Sequence, residues 1–469
     1  MLIWKTNSFD IKIASVRYRC LLPSRYLESH GYKSCFYAGK NQINVDGLSQ
    51  SDVLIFVKSF TPYDLFLSKK AKEAGIPIIL DVCDNIFIDE YISKCKFKPS
   101  DIFKEMSEAA SAIVTTGSAL KNIIEREINS SVPVFIIPDA HETVEDVNYA
   151  LSICKWRRWL KLLIYRPIST ILLITNILLS KFKTLQKEWR KQYRNKSEKQ
   201  IKYNSHKSTI EWRKLWKKLT YVRRDTSYIK NIKNNVSYQY KKYAFNSLAV
   251  NTSLPLQNSV NSNPEANPEI RNFNILENSI KPHQTIQGDE YKTILWFGNH
   301  GAKYGKFGML NILDIAEPLV RLSQEIKFRL LVVSNNYKKY CQHIEPLPFT
   351  TEYVEWDLFS IYKNISESDV TIIPNSKCDF SICKSANRAI LSLSLGVPVV
   401  ATKTPALDDF NDCIILDDWE RGLKAYFSNE QLVNSHLKKA QSMISSNYSG
   451  EAIGNNWSNL IHIVTEINQ

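Results

Sequence analysis

Short apolar runs recur along the first 145 residues and again beyond residue 290, and between them the apolar positions switch to helical spacing. In the first stretch the runs are Leu2 to Trp4, Val53 to Lys58, Ile76 to Asp81, Ala112 to Thr115 and Val134 to Pro138. Runs this short fit strands buried on both faces. Tyr18 to His30, Pro62 to Ala74 and Ser118 to Glu127 have the helical period, and Gly31 and Gly75 stand where the first two would end. Strands alternating with helices of this length predict a parallel, doubly wound sheet. The plan repeats with Ile294 to Phe297, Phe328 to Val333, Val370 to Ile373, Val397 to Ala401 and Ile414 to Leu416. The expected fold class is therefore α/β, with two Rossmann-like doubly wound domains, 1–148 and 291–469, separated by residues of another character. Apolar periodicity from Asn456 to Ile467 predicts a last helix.

One unit carries more chemistry than the rest. Residues 369 to 374 read as a buried strand, 376 to 384 as a polar loop, Ser385 to Leu395 as a helix ended by Gly396, and Val397 to Thr402 as a second buried strand. Loops at the carboxyl ends of parallel strands are where open α/β sheets bind ligands. Lys384, Asn387 and Arg388 stand at the helix start, where free backbone N–H groups and the helix dipole favour a phosphate. Spacing alone leaves open an ordinary crossover with a solvated lysine and arginine.

This stretch resembles the nucleotide-sugar-binding core of GT-B glycosyltransferases, particularly those with a K-S-x-N-[KR] element before G-x-P-V-V-A. The matching residues are Lys384, Ser385, Asn387 and Arg388, then Gly396, Pro398, Val399, Val400 and Ala401. Residues 293 to 308 add a strand running into a loop with Gly298, Gly301, Gly305 and Gly308. The resemblance places the donor diphosphate near that loop, where glycines let backbone amides approach an anion. It implies donor contacts at Gly298, Asn299, Gly301, Lys384, Ser385, Asn387 and Arg388, no cofactor beyond the nucleotide-sugar co-substrate, no metal, and a last helix crossing back to the first domain. One departure is plain. Well-known retaining members use two glutamates separated by seven residues, and here Cys383 and Leu391 stand at those positions. Ribose recognition is left unassigned.

Three polar clusters in the first domain fall at expected strand ends. Arg17 and Arg19 enter the first helix, where bidentate hydrogen bonds suit a phosphate or carboxylate. Asp81 and Asp84 follow a buried strand and suit general-base work or orientation of an acceptor hydroxyl. Exposed helix arginines and turn-capping aspartates are the plainer readings of the same residues. The third cluster, Pro138 to Glu142, contains His141, for which a solvated loop position is the ordinary expectation; Lys58 at a strand end is a further candidate.

Charge changes the picture once it is located. The chain carries a formal +14, yet residues 155 to 230 hold 22 Lys and Arg against 4 acids, so the remainder is slightly acidic. The uncharged run from Pro167 to Ser180 is only 14 residues, short of the ~20 a spanning helix needs. Trp156, Trp159 and clustered cations border it, which fits an element lying in a membrane interface, each cation gaining roughly 1 kcal/mol near anionic lipid. A packed helix hairpin or a short anchor fits the same pattern. Residues 149–245 are thus expected as a basic, partly helical insert, and 246–290, rich in Asn, Ser and Pro, as a flexible linker. Basic and aromatic residues mixed in this way also occur in nucleic-acid binders, but no reader motif accompanies them. Nine scattered cysteines without zinc-type spacing, and a start lacking a basic-then-apolar leader, point to a reducing, cytosolic setting at the inner face of a membrane.

The expected function is transfer of a sugar from a nucleotide-sugar donor to a glycan or lipid-linked acceptor, with Arg17, Arg19, Asp81 and Asp84 on the acceptor side. A non-catalytic scaffold of the same fold and a nucleic-acid-binding protein are the rivals from other classes.

Overall fold

Burial decides the strands. The computed structural model describes residues 1–39, 43–88, 97–165, 291–299, 301 and 307–466. The expected insert beyond residue 165, the linker 246–290, and with them the membrane-interface and nucleic-acid readings, lie outside the described residues. By contacts the chain divides into Met1–Leu151 with Asn251–Gln469, and Ser152–Val250.

The first half of the larger unit is a six-stranded sheet ordered β2-β1-β3-β4-β5-β6, parallel throughout. Its strands are β1 Leu2–Thr6, β2 Ser34–Ala38, β3 Val53–Val57, β4 Ile78–Val82, β5 Ala112–Thr115 and β6 Val134–Ile136. The second half is another six-stranded parallel sheet, ordered β12-β11-β10-β7-β8-β9. Here the strands are β7 Lys292–Phe297, β8 Phe328–Ser334, β9 Thr350–Glu355, β10 Val370–Ile373, β11 Val399–Ala401 and β12 Ile415–Leu416. The expected α/β class with two doubly wound sheets holds.

Alternate residues of one strand feed different cores. Ile3 joins one cluster with Leu54, Phe56 and Leu80, while Leu2 and Trp4 join the opposite one with Val53 and Ile55. The last helix, Gly450–Glu466, completes that second cluster: Trp457 lies edge-on to Trp4 with ring centroids 5.4 Å apart, and Leu460, Ile461 and Val464 are buried beside it. It also packs along Leu22–Ser29. A Cβ on Gly450 would lie 1.7 Å from the Tyr26 ring, so the absence of a side chain there permits the approach.

The second sheet has the 3-2-1-4-5-6 order of a dinucleotide fold, with strand order reversing between β7 and β10. Loops leaving two strands that diverge in opposite directions leave a crevice between them. Gly298 and Asn299 leave β7 and residues 374–386 leave β10, so both exits open on that crevice. In the first sheet the order reverses between β1 and β3, whose exits carry Asn7 and Lys58.

Candidate functional site

The chain leaving β10 is pinned before it reaches the helix. The Asn375 N–H donates to Thr402 Oγ1 at 2.9 Å, and the Asn375 side chain donates to the Ser381 carbonyl at 3.0 Å. A short 3-10 turn, Ser381–Cys383, follows, and Lys384 turns extended before the helix Asn387–Ser394 begins. Lys384, Ser385, Arg388, Asn375, Thr402 and Ile373 line one pocket at this end of the sheet.

Arg388 is the unusual member. It lies in the first turn of the helix, half-buried, and among the described residues it makes one long hydrogen bond, Nη1 to the Phe297 carbonyl at 3.4 Å. Among the described residues no carboxylate pairs with it. Burial pushes the guanidinium down to about 10, so it still carries its charge near neutral pH. A Cβ on Gly298 would meet Arg388 Nη1 at 3.6 Å, so the Gly298 backbone lies directly against the guanidinium. Desolvating a cation without a counter-ion is costly, and a site that does so gains most when an anion arrives.

The loop over it is tight. Gly301 has φ +89°, and a Cβ there would fall 2.1 Å from the Phe307 carbonyl oxygen. Asn299 accepts the Gly301 N–H through its side-chain oxygen at 3.1 Å, fixing the turn at the cost of that oxygen's availability. Asn387 is the first helical residue and is half-buried.

The two other donor-side candidates reach across to the first half. Ser385 Oγ donates to Asp139 Oδ2 at 2.6 Å. Lys384 forms an ion pair with Asp84, and its ammonium sits 3.9 Å from the centroid of the Phe380 ring. Asp84 is simultaneously paired with Lys58. Burial pushes Asp84 up, but Lys384 and Lys58 overcome it and hold the carboxyl well below the usual range. Lys58 has φ +47°, and Asp417 is the other non-glycine residue with positive φ among the described residues. The Asn85 side chain donates to the Asp379 carbonyl at 3.1 Å, tying the same two loops together.

Three of the four acceptor-side candidates are not where an acceptor could touch them. Arg19 is 1% exposed, with Nη2 2.7 Å from Asp81 Oδ2, Nε 3.1 Å from both Asp81 oxygens, and Nη1 donating to the Ile137 carbonyl at 2.7 Å and to Asp139 at 3.3 Å. Burial opposes its charge, but Asp81 and Asp139 hold the guanidinium more basic than usual. Arg17 gives Nε to Glu142 at 2.6 Å and Nη1 to the Ile11 carbonyl at 2.6 Å. Tyr18 and, from the second half, Tyr362 also donate to Glu142. The expectation of substrate contacts at Arg17, Arg19 and Asp81 is therefore corrected: they form internal ion pairs whose carboxylate partners satisfy each cation inside the core. Asp84 alone of the four lies at the cleft. His141 also departs from expectation. Rather than a solvated loop position, it is half-buried, its backbone N–H donating to the Tyr448 carbonyl at 2.7 Å, and burial lowers its basicity.

The positions without glutamates are apolar in fact. Leu391 is buried in a cluster with Leu295, Phe297 and Val397. Cys383 is buried against the core of the first half, and its thiol donates to the Asp379 carbonyl at 3.2 Å. Sequence reasoning missed Asp139 as the partner of Ser385, Asn375 and Thr402 as loop anchors, and Phe380 beneath Lys384. Position directly after β10 and β11 would have flagged Asn375 and Thr402; Phe380 carried no signal. Among the described residues no group of His, Cys, Asp and Glu is arranged to hold a metal ion, and no helix is long and apolar enough to cross a membrane.

No family model and no curated protein matches the sequence. Among solved structures, the chain is similar to a Staphylococcus aureus TarM mutant in complex with fondaparinux, alpha-GlcNAc-glycerol and UDP, at 11% identity, over 88% of this chain and 56% of that one, with a TM-score of 0.44. It is similar to sucrose-phosphate synthase from Thermosynechococcus elongatus at 10% identity over 100% of both chains, TM-score 0.46. It is also similar to the pneumococcal O-GlcNAc transferase GtfA in complex with UDP and GlcNAc, at 9% identity over 94% of this chain and 59% of that one, TM-score 0.40.

Proposed function

We propose that the chain is a glycosyltransferase of the GT-B type that takes a nucleotide-sugar donor at the β7/β10 crevice. The observation that carries this reading is the half-buried Arg388, without a carboxylate partner among the described residues, lying beneath Gly298 and lining one pocket with Lys384 and Ser385. The donor diphosphate would lie against Arg388 and Lys384, with Ser385, Asn387 and the Gly298, Asn299 and Gly301 backbone beside it. As the glycosidic bond breaks, negative charge grows on the departing diphosphate, and fixed cations at that point stabilise the transition state more than the bound donor. The acceptor would be a glycan or a lipid-linked precursor, brought from the side of the first sheet, with the basic residues between 149 and 245 meeting an anionic membrane on its cytoplasmic face. Nucleic acid ranks below these partners.

Equilibrium binding of nucleoside diphosphates and nucleotide sugars to the wild type, Arg388→Ala and Lys384→Ala tests it. Saturable binding of one nucleotide, lost in Arg388→Ala and weakened in Lys384→Ala, is the expected result. Absence of binding by well-folded wild type sinks it. One observation favours the rival scaffold: Cys383 and Leu391, both buried, replace the two glutamates. Donor binding without sugar transfer or donor hydrolysis would decide for the scaffold.

A further inference from the structure

We propose that Asp84 is an internal counter-ion of this site, a carboxylate that occupies Lys384 until a diphosphate displaces it, so that ligand entry unfastens the two halves at this point. The inference rests on the crevice being an anion site as read above, and goes beyond it by assigning the site its own competitor.

The geometry is built for exchange. Asp84 lies after β4 in the first half and Lys384 before the helix Asn387–Ser394 in the second, and the two are ion-paired across the cleft. A structural clasp would need only these two. Here Asp84 also pairs with Lys58, from its own half. When Lys384 leaves, Asp84 keeps a partner, so it is never stranded as a lone half-buried charge. Stranding is what makes breaking such pairs costly. Lys58 is held for this: its backbone is left-handed at φ +47°, its N–H donates to the Asp81 carbonyl at 2.9 Å, and its carbonyl accepts from the Asn7 side chain at 2.8 Å. A non-glycine residue kept in that region by its surroundings marks a position where the placement of the side chain matters.

The contacts next to it belong to the same loop. Asn85 to the Asp379 carbonyl, Asp84 to Lys384, and Asp139 to Ser385 join three first-half residues to residues 379–385 of the second half. That loop supplies the lysine and the serine of the anion site. Both side chains are thus engaged by carboxylates of the first half where phosphate oxygens would otherwise be. A diphosphate carries the same chemistry as a carboxylate at each contact and more charge, so it competes for the same donors. If Lys384 is free about a tenth of the time, the apparent affinity is about tenfold weaker than the intrinsic one.

Calorimetric titration of inorganic pyrophosphate into the full chain tests this with Asp84→Asn, Lys58→Gln, the double variant and Lys384→Ala. Asp84→Asn should bind about tenfold tighter than wild type. Lys58→Gln should bind more weakly, because Asp84 then has only Lys384, and this penalty should shrink in the double variant. Should Asp84→Asn fail to fold, the weakening in Lys58→Gln still reports the competition, and unchanged affinity there overturns it. If wild type binds pyrophosphate through Lys384 but Asp84→Asn binds no tighter, or the two effects simply add, Asp84 is a fixed clasp and the inference fails while the anion site stands. If no variant binds, the anion site itself is wrong and the inference falls with it.

Discussion

Replacing Asp81 by Asn separates a structural ion pair from an acceptor contact. In the wild type, Asp81 is fully buried and takes three contacts from Arg19, the shortest 2.7 Å. Asn is nearly isosteric but neutral, and it offers one acceptor oxygen instead of two. The Arg19 guanidinium would then keep the Ile137 carbonyl and Asp139 at 3.3 Å as partners. Removing one side of a buried pair costs about 3–5 kcal/mol, and the remaining Asp139 contact argues for the lower end, about 3 kcal/mol. At an m value of about 3 kcal/mol/M in urea, the midpoint for the first half should fall by about 1 M. Hydrogen exchange of β1 and β4 along the urea series follows that half, because the fluorescence of Trp4 and Trp457 is mixed with that of Trp296 in the core of the second sheet. Below the new midpoint, pyrophosphate affinity should equal that of the wild type. A midpoint shift under about 0.3 M, at unchanged m, would refute the ion-pair argument. If turnover vanished at the same time, Asp81 would be returned to the acceptor side.

Arg388→Ala should lower diphosphate affinity at least tenfold, and Arg388→Lys should restore only part of it, because the planar fork beneath Gly298 is lost; isothermal titration of the two variants distinguishes them. Gly301→Ala places a methyl 2.1 Å from the Phe307 carbonyl oxygen at φ +89°, so the loop must move; donor affinity should fall while thermal stability changes little. Trp457→Ala should cost about 3–5 kcal/mol, read by urea titration, since its ring is fully buried against Trp4. Because Lys384 and Lys58 hold the folded-state pKa of Asp84 below its unfolded value, its contribution is nearly complete above about pH 4 and is lost as pH falls from there to the lower folded value. Hydrogen exchange of residues 81–88 at pH 4 and pH 6, corrected for intrinsic rates, should therefore show equal protection.

Strands buried on both faces were legible because apolar residues dominate them: Val53–Val57 is buried at all five positions, and Ala112–Thr115 and Val370–Ile373 at all four. Two of the four edge strands were not. β2 is only half-buried over Phe36 to Ala38, and β9, Thr350–Glu355, alternates exposed and half-buried residues as the edge of its sheet, so neither makes an apolar run. The start of the first helix misled for a different reason. Arg17–Leu21 forms a widened turn that buries every residue, arginines included. Nothing local announces this, because the carboxylates that make it tolerable lie 62 and 125 residues further on. Local motifs around Lys384 could be read; which carboxylate each cation meets is a property of the folded chain.

The return of the last helix to the first sheet has a consequence for biosynthesis. Trp4 emerges from the ribosome about 450 residues before its ring partner Trp457. At roughly 5–20 residues per second, one face of the first sheet stays without its cover for about 20–90 s, with Leu2, Trp4, Val53 and Ile55 on it. An open apolar sheet face on a nascent chain is a surface for chaperones, and truncation ahead of Gly450 would leave it open for good.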